Sequence, residues 1–263
     1  MKGRSLVAAV WVISISTGAL AAGFMGPPTA ELSKGQWNLG FNYTYSTQDL
    51  DTTTAKLVRT GEDPTTFHLK TKDFNVHRYY VAVGYGLAEW WEVYGQLGIA
   101  DLKADFSGDT AGAPWNDGVN FDDDFAWGLG TRFTLAEQGK VKWGLSAQMN
   151  WLDTNWDDNV GANTKLKYSV ETFDLLVAVG PTIDMGGWKL YGGPFYYYLN
   201  GDYKYTNVSP GSLWKETADL EADSNFGGFI GAQFALSESV DLATEISSTS
   251  DGWAFGTGIG WKF

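Results

Sequence analysis

The chain has 263 residues, a formal net charge of −13 and no cysteine. The lack of cysteine excludes disulfides and cysteine-based metal sites, and the scarcity of clustered lysine and arginine disfavours binding to nucleic acid. Aromatic residues make up 16% of the chain, yet the mean hydropathy is only −0.20. These values suit a chain that distributes its apolar residues by alternation rather than in long runs.

Residues 1–22 have the pattern of a cleavable signal peptide. Lys2 and Arg4 precede an apolar stretch that ends in small residues. A positive start, a short apolar core and small residues at a cleavage point are typical of exported proteins. An uncleaved membrane anchor is the alternative, but polar residues interrupt the apolar stretch before it is long enough to span a bilayer. We expect cleavage after Ala21 or Ala22.

From residue 36 onward, apolar residues recur at every second position. Between Phe125 and Leu135 the odd positions are mostly large and apolar, whereas the even positions are small or polar. A period of two predicts strands with one apolar face. Eight or twelve strands remain open alternatives, because Ser239–Ser248 alternates weakly. We predict ten strands, near residues 36–48, 76–87, 90–102, 123–136, 141–153, 168–184, 188–202, 224–237, 239–248 and 252–263.

The predicted connections alternate between short turns and long polar loops. Short turns at one end and long loops at the other are typical of a transmembrane β-barrel, in which the turns face the periplasm. An even number of strands then places both termini on the periplasmic side. We therefore expect residues 23–35 to form a short N-terminal periplasmic segment and residues 36–263 to form the barrel. The long connections lie near 49–75, 103–122, 154–167 and 203–223, with a shorter one near 249–251.

Aromatic residues flank the aliphatic centre of the apolar face at both ends of the predicted strands. Trp37 and Trp143 lie near the periplasmic end, whereas Tyr43 and Trp151 lie near the outer end. Amphipathic rings favour membrane interfaces and aliphatic side chains favour hydrocarbon. A soluble sandwich or lipocalin-like barrel is the alternative, but a soluble core would not need rings at both ends. The pattern predicts an all-β, antiparallel, up-and-down transmembrane barrel of about ten strands.

This pattern resembles the bacterial outer-membrane β-barrel superfamily, which includes small porin-like and OmpA-type barrels. The resemblance is carried by the N-terminal export signal, the alternating segments and the final Trp261-Lys262-Phe263. It implies a monomer in the bacterial outer membrane. The partners it implies are membrane lipid, lipopolysaccharide and the barrel assembly machinery, which reads a terminal aromatic residue. It does not decide function, because related barrels serve as pores, enzymes, adhesins and structural proteins.

Charged residues fall on the small, polar face, which would line the lumen. The two signs are nearly balanced, and an unpaired charge in a confined site is costly, so the residues either pair in a network or line a weakly selective aqueous path. Inward glycines such as Gly128 leave volume unfilled, whereas inward tyrosines such as Tyr94 and Tyr197 would fill it. The predicted lumen-lining residues are Arg78, Glu92, Arg132, Lys142, Asp174, Lys189, Asp241, Glu245 and Lys262.

The predicted outer loops are acidic and contain aromatic residues. Acidic loops stay solvated and repel non-specific contacts, or they bind Ca²⁺ through their oxygens, although no stretch has the spacing of an EF-hand. Exposed aromatic residues either mark a binding surface or pack into the barrel mouth. The loop aromatics are Trp115, Trp156, Tyr203, Tyr205 and Trp214.

Three functions are compatible with these observations. The first hypothesis is a small passive, porin-like channel for ions or small polar solutes. The alternative is a non-conducting structural or surface-interaction barrel that acts through its acidic outer loops. An outer-membrane hydrolase is least favoured, because no family motif surrounds His77 and the aspartates at 122–124. We expect no enzyme activity, no cofactor and no metal site.

Overall fold

The computed structural model describes residues 23–110, 113–160, 163–222 and 225–263. The signal peptide predicted over residues 1–22 lies outside the described residues. All 13 strands of the described chain belong to one antiparallel sheet. Among the described residues, no helix is both long enough and apolar enough to cross a membrane.

Ten of the strands close into a ring in which each strand pairs with two neighbours. The first and last ring strands close it, in a register that runs from Asn38 opposite Lys262 to Gln48 opposite Gly252. The prediction of an antiparallel barrel of about ten strands is confirmed. In ring order the strands are β1 (Trp37–Gln48), β3 (Thr65–Ala88), β4 (Trp91–Thr110), β6 (Asp124–Gln138), β7 (Val141–Val160), β8 (Thr164–Asp184), β9 (Trp188–Ser209), β11 (Phe226–Ala235), β12 (Val240–Ser248) and β13 (Gly252–Lys262).

Three further strands occupy segments that the sequence pattern predicts as loops. They are β2 (Thr53–Arg59), β5 (Ala113–Asn120) and β10 (Ser212–Glu221). β2 pairs with β3 and β10, β10 also pairs with β9, and β5 pairs with β4. With the distal parts of β3, β4, β7, β8 and β9 they form a wall beyond the ring, which we call the outer extension. The polar residues on their outward faces explain why the sequence pattern of these segments predicts loops.

The apolar face of the ring points outward. Leu97, at the middle of β4, is 59% exposed. Aromatic pairs lie at both ends of this apolar band: the ring centroids of Trp37 and Tyr85 are 4.7 Å apart at one end, and those of Trp127 and Trp151 are 4.1 Å apart at the other. We call the end of the ring that carries the short turns the inner rim. An exposed apolar band between aromatic girdles is the surface that a transmembrane barrel presents to lipid.

Residues 23–32 lie mostly buried inside the barrel, whereas the sequence analysis expects residues 23–35 to form a short segment in the periplasm. The chain enters at the inner rim, where the Gly35 amide donates a hydrogen bond of 2.8 Å to the Gly86 carbonyl. Met25 and Thr29 are fully buried. The segment has no periodicity that could reveal this location, and the volume it fills is created by glycines on distant strands. We call residues 23–34 the lumenal segment.

Above the lumenal segment, the interior is filled by two further layers. The middle of the ring contains a polar layer of buried charged and amide side chains. The outer extension encloses an apolar core, because the inward positions of its strands carry large hydrophobic residues. Central members of that core are Phe74, Leu102, Phe106, Leu199 and Leu220.

Candidate functional site

The lumenal segment is bound by charged side chains of the ring wall. The Met25 amide donates to Glu245 Oε1 at 3.2 Å, and the Glu31 amide donates to Glu92 Oε2 at 2.9 Å. Arg132 joins the two ends, because Nη2 donates to the Met25 carbonyl at 2.6 Å and Nη1 donates to Glu92 Oε1 at 2.8 Å. Charged side chains of the ring therefore form the hydrogen bonds to the backbone of the segment that a neighbouring strand would otherwise form.

Ion pairs include eight of the nine residues predicted to line the lumen, and the ninth, Glu245, accepts the Met25 amide. Lys142 differs from the others, because its partner is Glu137 at the inner rim and both side chains are about half exposed. That these residues line a conducting path stays a prediction. The pairs are Arg78–Asp174, Arg132–Glu92, Lys142–Glu137, Lys189–Glu31 and Lys262–Asp241.

Inward glycines make room for the lumenal segment. A Cβ atom at Gly144 would lie 2.4 Å from the Pro28 carbonyl oxygen, and one at Gly256 would lie 2.6 Å from Phe24 Cβ. A side chain larger than that of glycine does not fit at such distances, so the ring wall accommodates the segment only with glycine at these positions. The volume that the glycines leave is filled by the chain itself.

Other inward glycines lie beneath aromatic rings that cross the interior. A Cβ atom at Gly130 would lie 2.2 Å from Tyr94 Cζ, and one at Gly231 would lie 2.3 Å from Tyr191 Cζ. In each pair the glycine and the tyrosine are direct neighbours on adjacent strands. In each pair the tyrosine ring occupies the volume that the glycine leaves, so glycines and large rings fit together in the lumen.

The polar layer is a continuous network in the middle of the ring. Arg78 Nη2 lies 3.2 Å from Asp174 Oδ2, and the two side chains are only 3% and 2% exposed. Asn150 Nδ2 donates to Asp174 Oδ1 at 2.6 Å, and Gln96 Nε2 donates to Asn150 Oδ1 at 2.7 Å. Because each charge is buried, the network depends on both members of the ion pair.

A cavity of about 300 Å³ lies inside the outer extension, and we call it the outer pocket. Ala113 and Pro114 line it at the start of β5. Each of β5, β9 and β10 also contributes two aromatic or charged side chains that are two positions apart, which places both on the same face of the strand. β2 and β8 contribute one side chain each. The eight aromatic and charged lining residues are Arg59, Trp115, Asp117, Tyr168, Tyr203, Tyr205, Trp214 and Glu216.

Two carboxylates of the outer pocket are hydrogen-bonded to its aromatic walls. Trp214 Nε1 donates to Glu216 Oε1 at 2.9 Å, and the Tyr168 hydroxyl donates to Asp117 Oδ2. The guanidinium carbon of Arg59 lies 4.0 Å from the centroid of the Trp214 ring. The pocket thus combines five aromatic faces with two carboxylates and one guanidinium.

Burial controls the ionisation of the outer pocket, which lies beyond the membrane-facing band. Glu216 is 4% exposed. Burial raises its pKa, while the hydrogen bond from Trp214 and the charge of Arg59 act in the opposite direction. Burial also raises the pKa values of Tyr168 and Tyr203, so both phenols stay neutral.

Four of the five loop aromatics noted in the sequence line the outer pocket. The fifth, Trp156, packs against Tyr168 with ring centroids 5.5 Å apart. Sequence reasoning missed Tyr168 and Arg59. Arg59 reaches the pocket because β2 pairs with β10, which places it opposite Trp214. No local signal in the sequence announces a pairing between strands so far apart in the chain.

The residues considered for a hydrolase have separate partners. His77 lies at the outer girdle, where its Nδ1 is 3.0 Å from the Tyr43 hydroxyl. Asp124 Oδ2 accepts the Asn155 amide at 2.9 Å. Within the described ranges, no group of three or more His, Asp or Glu residues is arranged to hold a metal ion.

Three solved structures are similar to this chain at low sequence identity. The outer membrane protein OprG from Pseudomonas aeruginosa is 11% identical with a TM-score of 0.45, over 88% of this chain and 97% of that chain. The outer membrane protease OmpT from Escherichia coli is 10% identical with a TM-score of 0.44, over 85% and 97%. The attachment invasion locus protein Ail of Yersinia pestis is 12% identical with a TM-score of 0.29, over 88% and 100%. None of the curated proteins matches the chain.

The family assignment comes from a sequence model. The model of the outer membrane protein beta-barrel domain matches residues 104–263, which is more than half of the chain. The matched region contains seven complete ring strands, from β6 to β13 without β10, and the structure closes them with β1, β3 and β4 into one ring. The chain therefore belongs to the outer membrane protein beta-barrel domain family, and its location is the bacterial outer membrane.

Proposed function

We propose that this protein is a closed outer-membrane barrel that does not conduct along its axis and acts through its outer extension. The observation that carries the proposal is the filling of the interior by three successive layers: the lumenal segment, the polar layer and the apolar core of the extension. This function corresponds to the second of the hypotheses drawn from the sequence. It includes no catalytic step.

The apolar core supports a closed state most directly. Phe74 and Phe106 are buried, and the rings of Phe106 and Tyr203 lie 4.5 Å apart by their centroids. An ion that crossed this layer would lose its hydration among hydrocarbon groups, at a cost of the order of tens of kcal/mol. A passive aqueous path would therefore require the core of the extension to come apart.

A channel that opens when the lumenal segment withdraws is the second candidate. One observation favours it: the inner closure is made by a segment whose backbone is bound by side chains and not by strand pairing. The side chains that bind it are those of Glu92, Arg132 and Glu245. In this case the inner half of the lumen would become an aqueous cavity lined by the residues predicted from the sequence.

Single-channel recording in planar bilayers tests the proposal. We would compare the refolded intact protein with a variant that lacks residues 24–32, and confirm folding of both by heat-shifted gel mobility. We expect no stable conductance from either protein, because the apolar core is present in both. Stable conductance steps from the intact protein would overturn the proposal. Steps from the shortened protein alone would replace it with the gated channel.

The inner rim supports the barrel assembly machinery as a proposed partner. Phe263 is 72% exposed at the end of the last strand. Its amide and carbonyl each form a hydrogen bond of 3.0 Å with the backbone of Trp37. A terminal aromatic side chain that faces outward is accessible to a folding factor while the first and last strands pair. Lipid and lipopolysaccharide are the proposed surroundings of the apolar band, with the barrel as a monomer.

A further inference from the structure

We propose that the outer pocket binds a small organic cation of the substituted-ammonium class between its aromatic walls. The inference deepens the proposed function, since it rests on an outer extension that acts at the cell surface and names the ligand class for it. The geometry of the pocket does not depend on whether the barrel conducts, so the two proposals fail separately.

The size and walls of the outer pocket suit a small molecule. Its volume of about 300 Å³ is at the lower end of ligand sites, which span roughly 300–1,000 Å³. Tyr168 and Tyr205 pack with ring centroids 4.6 Å apart, and Trp115 packs edge-on to Phe67 at 6.0 Å. These contacts hold the rings in place before a ligand arrives, which lowers the entropy cost of binding.

The charge of the outer pocket favours a cation. Asp117 and Glu216 supply two carboxylates and Arg59 supplies one guanidinium, so negative charge is in excess. The whole chain carries a net charge of −13, and a field of this sign raises the local concentration of cations. An anion would meet two carboxylates, and a neutral ligand would bury them without compensation.

The protein already holds one cation against this wall. The Arg59 guanidinium carbon is 4.0 Å from the Trp214 centroid, inside the distance of about 6 Å at which a cation is attracted to a ring face. The ion pair of Arg59 with Glu62 is long, at 3.8 Å, and exposed. Such a pair contributes little, whereas the guanidinium lies in close contact with the indole ring. A substituted ammonium group uses the same attraction at the neighbouring ring faces.

The ionisation of Glu216 gives the proposal a pH dependence. Burial raises the pKa of Glu216, and a bound cation would stabilise the ionised carboxylate and lower that pKa again. Binding should therefore weaken as the pH falls and Glu216 becomes protonated. Asp117 and Arg59 face the same space, and Tyr168, Tyr203 and Tyr205 stay neutral throughout.

Two probes of equal shape and different charge test the proposal. Choline and its neutral carbon analogue 3,3-dimethylbutanol would be titrated into the intact folded protein in detergent micelles, with calorimetry and tryptophan emission as readouts. We expect choline to bind at least about tenfold more tightly than the neutral analogue, because only the charged probe gains from the ring faces and carboxylates. Equal affinities for the two probes, or no binding of choline, would each overturn the proposal.

Single substitutions show whether choline binds in the outer pocket or responds only to the overall negative charge of the protein. Glu216→Gln should weaken choline binding about tenfold or more. Asp219→Asn removes the same charge from the opposite, exposed face of β10 and should leave the affinity unchanged. Trp115→Leu gives a second test if Glu216→Gln does not fold, and it should also weaken binding. Equal losses in Asp219→Asn and Glu216→Gln would overturn the proposal. The conductance experiment has no bearing on this outcome.

Discussion

Arg132 donates a hydrogen bond of 2.6 Å to the carbonyl oxygen of Met25, and so ties the ring wall to the lumenal segment. The next residue, Gly26, has a φ of +69°, a conformation that L side chains rarely adopt. A Cβ atom there would lie 3.1 Å from Arg132 Nη2. The contact therefore depends on a glycine at the turn and on an arginine on a strand more than a hundred positions away.

Removal of Arg132 should release the lumenal segment. Because the chain has no cysteine, Thr29→Cys supplies a single reporter at a position that is 0% exposed. Arg132→Ala should raise the rate of maleimide labelling about tenfold, since the loss of a hydrogen bond from a charged donor costs about 1.5–3 kcal/mol. Lys142→Ala, which removes an inner-rim cation without a contact to the segment, is the control. Equal labelling rates in the two variants would contradict the prediction.

Gly256→Val should destabilise the barrel by overpacking against Phe24. A Cβ atom at Gly256 would lie 2.6 Å from Phe24 Cβ, and added volume in a packed interior costs about 1–3 kcal/mol. Urea unfolding of the refolded protein measures the loss. Phe24→Ala in the same chain should recover most of it, and a double-mutant cycle gives the coupling. Additive effects of the two substitutions would show that the residues do not meet.

Asp174→Ala should cost far more stability than Glu171→Ala on the same strand. The first substitution leaves Arg78 buried without its partner, which costs about 3–5 kcal/mol. The second removes the partner of Lys204 from a pair whose side chains are 48% and 50% exposed, and such pairs contribute about 1 kcal/mol or less. Urea midpoints compare the two variants. The double change Arg78→Met with Asp174→Leu should recover stability relative to Asp174→Ala, and equal costs for the two single changes would contradict the prediction.

The outer extension should become more stable as the pH falls. The folded pKa of Glu216 is raised above its ordinary value of 4.5, so the folded state binds this proton more strongly than the unfolded state does. Stability is therefore greatest below the unfolded pKa and is lost as the pH rises through the folded pKa. Between pH of about 7 and about 4.5, protease resistance of the extension should rise more in the wild type than in Glu216→Gln. The same rise in both proteins would exclude Glu216 as the source.

Phe263→Ala should lower the amount of folded barrel in the outer membrane several-fold while leaving refolding in detergent unchanged. The side chain is exposed at the inner rim, so its loss removes a recognition feature and little packing. The heat-shifted band in isolated membranes measures the first quantity, and the same band after refolding measures the second. Trp261→Phe, which keeps an aromatic outward residue, serves as the control. A parallel loss in both assays would assign the effect to stability instead.

The ring and the direction of its faces could be predicted from the sequence. The alternation of residues such as Phe125, Trp127 and Leu129 with small residues is a local property, because neighbouring side chains of a strand point to opposite sides. Aromatic residues at both ends of that face indicated which side meets lipid. Membership in the family and the location in the outer membrane agree with that prediction.

The packing of the lumenal segment inside the ring and the outer pocket were decided by tertiary structure alone. The sequence around Gly144 and Gly256 does not show whether water or another residue fills the space beside them. The residues that fill it, Pro28 and Phe24, come from a distant part of the chain. In the same way, Arg59 reaches Trp214 only through the pairing of β2 with β10. Local periodicity determines which side of a strand a residue faces, and long-range packing determines what it meets there.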